Sequence, residues 1–399
     1  MRAARSRLAA LCLGAVATTV LATATTATAD ESALGEIRNA DRPGALAGQY
    51  IVALNGTPAV SAQAAVTAQA QGLADRYGAS VRDVYSASFR GFAISATEQQ
   101  ARRLAADPGV RYVEADGIAR ASGTQANPPS WGLDRIDGRR DNSYTYPNEG
   151  AGVTAYVLDT GVDLRHANLE GRARSGYDFI DDDSDASDCQ GHGTHVAGTI
   201  GSRDYGVAKK VDIVSVRVLD CQGSGQWSQV IGGIDWVARN ATAPSVANMS
   251  LGGGASRSVD DAVRGAVAAG VGFALAAGND SANACNTSPA RVREAITVGS
   301  TDSSDRRSSF SNHGNCLDLF APGSNITSTR NGGGSTSMSG TSMATPHVAG
   351  AAALYLSAHR SATPQQVRDA LVRGGQQGVV TNPGGGSPNV LLNVSRLGR

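Results

Sequence analysis

The chain has 399 residues, of which 41% are hydrophobic and 18% are charged, and its formal net charge at pH 7 is zero. It has no cluster of basic residues such as a nucleic-acid-binding surface requires, so we expect no nucleic-acid partner. No apolar stretch is long enough for a stable membrane span, so we expect no membrane partner and predict a soluble monomer.

Residues 1–29 have the features of a secretory signal peptide. Three arginines precede an apolar run that begins at Leu8 and ends at Ala22. Ala27-Thr28-Ala29 then forms an Ala-x-Ala cleavage site before Asp30. The sequence therefore predicts a secreted, extracellular product.

The cysteines suit an exported protein. Cys12 would leave with the signal peptide, and four cysteines remain, at positions 189, 221, 285 and 316. Cysteines of secreted proteins are generally paired in disulfides. The sequence alone allows three pairings of the four.

Residues 30–122 are predicted to form a small α+β domain with its core at 49–121. The core follows the order strand, helix, strand, strand, helix, strand, which is a split βαβ arrangement. The predicted elements are Tyr50–Leu54, Val60–Tyr77, Val81–Tyr85, Gly91–Ile94, Glu98–Ala106 and Val110–Ala115. A stretch rich in Gly, Thr, Gln, Asn and Pro follows residue 122 and indicates a linker.

Residues 123–399 are predicted to form one α/β domain. Strands and helices alternate there, which gives a parallel sheet with helices on both faces. The clearest elements are the strands Val211–Leu219, Val246–Met249 and Gly272–Ala276 and the helices Ser228–Arg239 and Val259–Ala269. Ligands bind beyond the carboxyl ends of such strands, and Asp159, Ser250 and Asn279 fall at such ends.

One stretch of this domain, Gly340 to Gly350, places a serine at the start of an apolar, alanine-rich helix. Unpaired backbone N–H groups and a partial positive charge at a helix start let such a serine attack a carbonyl while its own amide stabilises the oxyanion. Gly340 and Ala344 leave room for a substrate backbone. We therefore predict that Ser342 is a nucleophile.

Two further stretches supply partners for this serine. His192 stands in a Gly-His-Gly-Thr-His motif at the start of another apolar helix, whereas His195 lies one turn further on and is expected to hydrogen-bond within the scaffold. Asp159 ends the nearly all-apolar strand that begins at Val153. An aspartate, a histidine and a serine together form the hydrolytic triad of several protease families.

The order of the three residues along the chain is acid, histidine, serine, which is the order in subtilisins and not in chymotrypsin-like enzymes or α/β-hydrolases. With these three motifs, the chain resembles the subtilisin-like serine proteases, or subtilases, from about Tyr50 to about Asn393. Trp131-Gly132-Leu133-Asp134-Arg135-Ile136 and the placement of the cysteines resemble the proteinase K branch of that family, and aqualysin in particular.

The resemblance implies a secreted serine endopeptidase that works through an acyl-enzyme. Ser342 would be the nucleophile, His192 its base, and Asp159 the group that orients and stabilises the imidazolium. Asn279 matches the family's oxyanion-hole asparagine, whose side-chain amide would act together with the main-chain amide of Ser342.

The resemblance also implies that residues 30–122 are an inhibitory pro-domain. Its tail, Asp116–Ser122, would lie in the active cleft until self-cleavage near Ser122 and Gly123. The implied disulfides join Cys189 to Cys221 and Cys285 to Cys316, a pairing that the near-equal separations also suggest.

Polypeptide substrates are expected to add as a strand between two chain segments and to hydrogen-bond through their main chain. An apolar, roomy pocket at residues 276–278 would favour aromatic or large aliphatic side chains before the scissile bond, within a broad specificity. Trp227 would wall a more distant apolar subsite. The predicted substrate contacts are Gly223, Ser224, Gly225, Trp227, Ser250, Leu251, Gly252, Ala276, Ala277 and Gly278.

Catalysis is expected to need no cofactor, but a structural Ca²⁺ is implied by the resemblance. Asp318 could bind it together with the main-chain carbonyls of Arg293 and Ala295, because calcium takes hard oxygen ligands. Asp134, Asp137 and Asp141 form a second candidate site.

Other functions are less well supported by the sequence. A noncatalytic secreted peptide-binding protein on the same scaffold should have lost a residue of the triad or the oxyanion hole, and all four are present. His192 and His195 lack the glutamate that a His-Glu-x-x-His zinc site requires. An aspartic protease needs two Asp-Thr-Gly carboxylates, and only Asp159 has this motif.

Overall fold

The computed structural model describes residues 34–41, 45–59, 62–117 and 123–397. The predicted signal peptide and residues 118–122, which include one side of the predicted cleavage position, lie outside these ranges. Among the described residues, no helix is long and apolar enough to cross a membrane. The chain divides into two compact units, the first ending at Asp116 and the second running from Gly117 to Arg399.

The N-terminal unit has one sheet and two helices in the part that the structure describes. The sheet order is β1-β5-β2-β4-β3. Two of its apolar strands pack Val52, Leu54, Phe92 and Ile94 against Leu104 and other residues of the helices. The elements are β1 (Ile37–Arg38), β2 (Ala45–Leu54), α1 (Gln63–Tyr77), β3 (Ser80–Tyr85), β4 (Gly91–Ser95), α2 (Glu98–Ala105) and β5 (Val110–Gly117).

The predicted α+β arrangement of this unit is confirmed, with small differences at the ends of elements. The predicted start of the first helix at Val60 lies outside the described residues, and the described helix begins at Gln63. Helix α2 begins where predicted because Thr97 and Gln100 form a capping box. It ends one residue early, at Ala105. The short strand β1, which pairs with β5, was not predicted.

The C-terminal unit is built around one large sheet. Its strands within residues 123–397 follow the order β19-β20-β16-β15-β13-β11-β8-β10-β9. Neighbouring strands run parallel, except for the antiparallel pair β19 and β20. The strands of this sheet are β8 (Thr154–Asp159), β9 (Ala173–Asp178), β10 (Asp212–Arg217), β11 (Ser245–Met249), β13 (Gly272–Ala276), β15 (Ile296–Thr301), β16 (Leu319–Pro322), β19 (Gln376–Gln377) and β20 (Val390–Leu391).

The other elements of this unit surround the sheet. Its helices are α3 (Trp131–Ile136), α4 (His192–Gly201), α5 (Trp227–Asn240), α6 (Arg257–Ala268), α7 (Thr341–Ala358) and α8 (Pro364–Gly374). Three strand pairs outside the sheet are β6 (Gly123–Ala126) with β7 (Ser143–Tyr146), β12 (Gly253–Gly254) with β14 (Thr287–Ser288), and β17 (Ile326–Thr329) with β18 (Ser335–Met338).

Helices cover both faces of the sheet, as predicted. Side chains of a strand point alternately to its two faces. Accordingly, Ala155 and Val157 of β8 join a core cluster with residues of α4 and α7. Tyr156 and Leu158 join a second cluster, with residues of α5 and α6. Because both faces of β8 are covered, its sequence is almost continuously apolar.

The strand predicted at Val211–Leu219 is shorter in the structure, where β10 ends at Arg217. The amides of Val218 and Leu219 both donate to the carbonyl oxygen of Asp159, at 2.9 and 3.2 Å. Two amides on one carbonyl break the regular ladder, so the chain leaves the sheet beside Asp159. The sheet therefore ends where the candidate site begins.

Candidate active site

Asp159 and His192 form a hydrogen-bonded pair at the carboxyl end of β8. Asp159 is completely buried. Its Oδ1 lies 2.7 Å from Nδ1 of His192 and accepts a second hydrogen bond from the amide of Thr160, at 2.8 Å. A carboxylate can only accept, so Nδ1 of His192 is the donor and Nε2 is left to accept a proton.

Glycines bring the helix that carries His192 close to this strand. A Cβ on Gly193 would lie 2.0 Å from the carbonyl oxygen of Gly161. Gly191, just before the helix, has a φ of +111°, which a residue with a side chain rarely adopts. The glycines around the histidine are therefore required by the geometry that seats His192 against Asp159.

The environment of His192 favours its protonated form. Burial by itself lowers the pKa of this imidazole, but the charge and hydrogen bond of Asp159 and the charge of Asp188 outweigh burial and raise the pKa above 6.5. A base with a raised pKa takes up a proton more readily. The base that removes the proton of a serine hydroxyl needs this property.

Asp188 is a residue of this site that the sequence did not indicate. Its Oδ1 accepts hydrogen bonds from the hydroxyl of Thr160 and from the amides of Gln190 and Gly191. Its Oδ2 accepts from the amide and the hydroxyl of Thr194. Asp188 thus ties the residue after Asp159 to the loop and first turn that hold His192.

The second histidine of the motif, His195, faces the scaffold. It is completely buried, and its Nε2 lies 2.9 Å from the carbonyl oxygen of Ile326. Burial lowers the pKa of His195 to about 4, so the ring stays neutral at neutral pH. The structure thus places His192, and not His195, on the cleft side.

Ser342 is the second residue of α7 and is held by Ser250, which follows β11. The Ser342 hydroxyl donates to the carbonyl oxygen of Ser250 at 3.1 Å, and the Ser250 hydroxyl donates to the carbonyl oxygen of Ser342 at 2.8 Å. That second bond is possible because Pro346 has no amide hydrogen to donate back to residue 342. The proline therefore frees the main chain of Ser342 to bind the end of a neighbouring strand.

Asn279 directs its amide nitrogen toward the start of α7. Its Oδ1 accepts from the amide and the hydroxyl of Thr341, at 2.8 and 3.0 Å. The Nδ2 group of Asn279 and the amide nitrogen of Ser342 each lie 3.6 Å from the position that a Cβ on Gly340 would take. Two donor nitrogens thus lie equally close to one side of Gly340.

A cleft with two adjoining pockets runs past these residues, and both pockets are lined by Leu251, Gly252 and Gly253. The first pocket contains His192 and the predicted contacts Gly223, Ser224, Gly225, Trp227 and Ser250. The second contains Ser342, Asn279 and the predicted contacts Ala276 and Gly278.

The predicted contact Ala277 differs from its neighbours. Its side chain packs in a hydrophobic cluster with Phe320, because consecutive residues at the end of a strand point to opposite sides. Sequence reasoning also missed several lining residues, including Thr160, Gln190, Leu219, Gln222, Val230, Gly254, Asp280, Thr287 and Thr341. The sequence signal for some of them was position: Thr160, Asp280 and Thr341 are direct neighbours of Asp159, Asn279 and Ser342, and Gln190 stands two residues before His192.

The structure has the disulfide pairing that was predicted. Cys189 is bonded to Cys221, and Cys285 to Cys316. The first disulfide joins the loop that leads into His192 to the loop that leads to Gly223 on the cleft wall. It therefore links two parts of the candidate site directly.

The predicted calcium ligands at Asp318 do not fit a metal ion in this arrangement. One carboxylate oxygen of Asp318 accepts from the amide of Thr297 at 2.8 Å. The other lies 2.8 Å from Nε and 2.5 Å from Nη2 of Arg368 on α8. A guanidinium cation thus occupies the oxygen that would have to join the carbonyls of Arg293 and Ala295 around an ion.

The second predicted calcium site is also engaged by the chain itself. Both oxygens of the buried Asp137 accept main-chain hydrogen bonds, from Arg139 and Thr145. Asp134 accepts from the amides of Asp141 and Ser143. Among the described residues, no group of three or more His, Cys, Asp or Glu side chains is arranged to hold a metal ion.

Two family models match this chain. The model of the subtilase family matches residues 150–386, which include Asp159, His192, Asn279 and Ser342. The model of the peptidase inhibitor I9 family matches residues 49–122. The second match covers most of the N-terminal unit.

Known proteins resemble the chain over most of its length. An alkaline serine exoprotease A of Vibrio alginolyticus is 54% identical over 328 residues, which are 80% of this chain and 61% of that protein. An extracellular serine proteinase of Thermus sp. (strain Rt41A) is 56% identical over 79% of this chain and 78% of its own length. The chain thus spans less than two thirds of the Vibrio protein.

A solved structure shares the fold of this chain. The crystal structure of a cold adapted subtilisin-like serine proteinase is 60% identical, with a TM-score of 0.65, and the match covers 66% of this chain and 97% of that one. The fold, the match to the family model and these relatives agree with the resemblance read from the three motifs. The chain belongs to the subtilase family of serine proteases and carries an I9-type inhibitor segment before its subtilase domain.

Proposed function

We propose that this chain is a secreted endopeptidase that hydrolyses peptide bonds through an acyl-enzyme on Ser342. One observation supports this most strongly. A histidine held by a buried carboxylate and a serine at a helix start line one cleft, and two N–H donors converge beside that serine. The histidine, the carboxylate, the serine and the two donors each have a distinct part in acyl transfer.

In the proposed reaction, the Ser342 hydroxyl first turns from the Ser250 carbonyl toward Nε2 of His192. Oγ then bonds to the substrate carbonyl carbon as its proton passes to Nε2, and the carbonyl oxygen becomes an oxyanion between the Ser342 amide and Nδ2 of Asn279. The tetrahedral intermediate collapses as Nε2 returns the proton to the leaving amine. Water then attacks the acyl-enzyme by the same route. Loss of one oxyanion donor typically lowers kcat by about 10²–10³-fold.

The second pocket supports a preference for large apolar or aromatic side chains before the scissile bond. Its lining is mostly small or apolar, including Leu251, Ala276 and four glycines. The carboxylate of Asp280 also lines this pocket, so acidic side chains should be disfavoured there. Main-chain bonding along exposed segments of the cleft would give the enzyme broad specificity.

We also propose that the N-terminal unit restrains the enzyme until self-cleavage near Gly123. The match of residues 49–122 to an inhibitor family supports an intramolecular inhibitor. The extracellular Thermus relative and the sequence features of residues 1–29 support secretion. Polypeptides would then be the partners of the mature enzyme, which we expect to act as a monomer.

The test compares secreted wild type with Ser342→Ala. We expect the wild type to begin near Gly123 and to hydrolyse a peptide anilide that has an aromatic residue before the anilide. The variant should remain an uncut, inactive precursor. Adding a trace of wild-type enzyme to the variant precursor is the control, because cleavage in trans shows that the precursor is folded and cleavable.

A noncatalytic peptide-binding protein on this scaffold would behave differently in the same experiment. Both forms would then mature identically, and neither would hydrolyse the anilide. That result would contradict the proposed function.

A further inference from the structure

One buried side chain makes three of the hydrogen bonds that hold the loop carrying Asn279. Asn312 is completely buried. Its Nδ2 donates to the carbonyl oxygen of Ala277 at 2.9 Å. Its Oδ1 accepts from the amides of Asp280 and Ala282, at 3.0 and 2.9 Å. The main-chain amide of Asn312 donates to the carbonyl oxygen of Gly278 at 2.9 Å.

These four bonds enclose Asn279 on both sides. The contacted residues stand one and two positions before it and one and three positions after it. The side-chain amide of Asn279 makes none of these bonds, since its Oδ1 is held by Thr341 and its Nδ2 faces the start of α7. Asn312 thus holds the main chain on either side of Asn279, and Asn279 supplies the side-chain donor.

The packing around Asn312 leaves this loop little freedom. A Cβ on Gly278 would lie 2.3 Å from Nδ2 of Asn312, so the glycine admits the amide at that point. Gly278 also has a φ of +102°, which allows the chain to wrap around the Asn312 side chain. The loop is therefore shaped around one particular amide group.

We propose that Asn312 is a positioning residue of the reaction, which fixes the loop from Ala277 to Ala282 so that Nδ2 of Asn279 meets the oxyanion. This inference rests on the proposed function of Asn279 as an oxyanion donor. An electrostatic donor stabilises a transition state only where it is held in place beforehand, and a displacement of about 1 Å can cost about 100-fold in rate. Asn312 supplies that constraint from a segment 33 positions later in the chain.

A double-mutant cycle tests this role. The four proteins are wild type, Asn312→Ser, Asn279→Ala and the double variant, each matured by a tagged wild-type protease that is then removed. We expect Asn279→Ala to lower kcat by about 10²–10³-fold. Asn312→Ser should lower kcat by about 10- to 100-fold in the wild-type background, but by less than about threefold when Asn279 is already absent.

Asn148→Ser is the matched control. Asn148 also bonds main chain with both ends of its amide, donating to the carbonyl oxygen of Leu354 and accepting from the amide of Gly150, and it lines neither pocket of the cleft. Its loss should lower the melting temperature and leave kcat unchanged. Equal factors for Asn312→Ser in both backgrounds, or no change in kcat in a folded variant, would overturn the proposal.

Two further measurements keep the outcome clear. If Asn312→Ser does not fold, Asn312→Asp keeps both acceptor bonds but places a charged oxygen against the carbonyl oxygen of Ala277 in place of the donor, and the same cycle applies. Ser342→Ala is assayed beside the four proteins. If it hydrolyses the substrate as the wild type does, the proposed function itself has failed, and the role of Asn312, which rests on that function, is overturned with it.

Discussion

At the scale of single residues, the charge of Asp188 adds to that of Asp159 in raising the pKa of His192. The groups that face the imidazole are Asp159 at the end of β8 and Asp188 in the loop before α4. His195 lies one turn further along the same helix. Both carboxylates raise the pKa of His192, and burial opposes them. The base is active only when deprotonated, so kcat/KM should fall as the pH drops through the raised pKa of His192.

Asp188→Asn should move this acid limb to lower pH, because it removes one of the two charges that favour the imidazolium. The asparagine oxygen can still accept from Gly191, whereas its NH2 group would face the donors of Thr194, so the variant should also lose about 1–3 kcal/mol of stability. The measurement is kcat/KM between pH 5 and 9 with a neutral peptide substrate. An acid limb that stays in place or moves to higher pH would refute the role of Asp188.

The residues of the candidate triad could be predicted from sequence because each stands in a local motif. Gly193, next to His192, is the direct trace of a close backbone approach, and Gly340 and Ala344 are small residues two positions on either side of Ser342. Asp188 and Asn312 could not be predicted in this way. Each binds segments that only the folded chain brings together, such as Asn312 with the loop at Ala277.

At the scale of elements, an ion pair joins α8 to the start of β16 through the carboxylate at which a calcium ion was expected. Asp318 stands just before β16 with its side chain 5% exposed, and its partner Arg368 on α8 is 29% exposed. Arg368→Ala leaves a buried carboxylate without its cation and should therefore cost about 1.5–3 kcal/mol of folding free energy. Chemical denaturation of the inactive Ser342→Ala background measures this cost without self-digestion.

Arg373→Ala is the control on the same helix. Arg373 pairs with Asp369 at 3.9 Å, and both side chains are well exposed, so its loss should cost less than about 1 kcal/mol. An equal cost for the two variants would show that the Asp318 pair is no more than a surface contact.

The strands of the central sheet could be predicted because their apolar runs are buried on both faces of the sheet. β13 has the predicted bounds, Gly272–Ala276. Helix α7 could also be predicted from its sequence, since its small alanine and glycine residues allow it to pack closely against the sheet. By contrast, β1 has only two residues and pairs with residues 76 positions further along the chain, so no local pattern indicates it.

At the scale of the whole molecule, two buried histidines should make folding sensitive to acid. His195 on α4 and His347 on α7 are completely buried, and burial lowers the pKa of each to about 4. In the unfolded chain these rings titrate near about 6.5. The unfolded state therefore binds more protons between these two values, and stability falls as the pH is lowered from about 6.5 to about 4.

Each histidine should contribute about 3 kcal/mol to this loss by pH 4. Urea unfolding of the Ser342→Ala protein at several pH values measures it. His195→Asn keeps a donor for the Ile326 carbonyl and removes one titrating ring, so this variant should show a shallower pH dependence. A free energy of unfolding that is constant from pH 6.5 to 4.5 would contradict the expected effect of the two rings.

The proposed mechanism requires that Oγ of Ser342 takes the acyl group. The most direct measurement is the intact mass and peptide map of the mature enzyme after treatment with a serine-directed sulfonyl fluoride. We predict one equivalent of label, located on Ser342, with loss of peptide hydrolysis in proportion to labelling. Label at any other residue, or hydrolysis that persists when Ser342 is fully labelled, would contradict the mechanism.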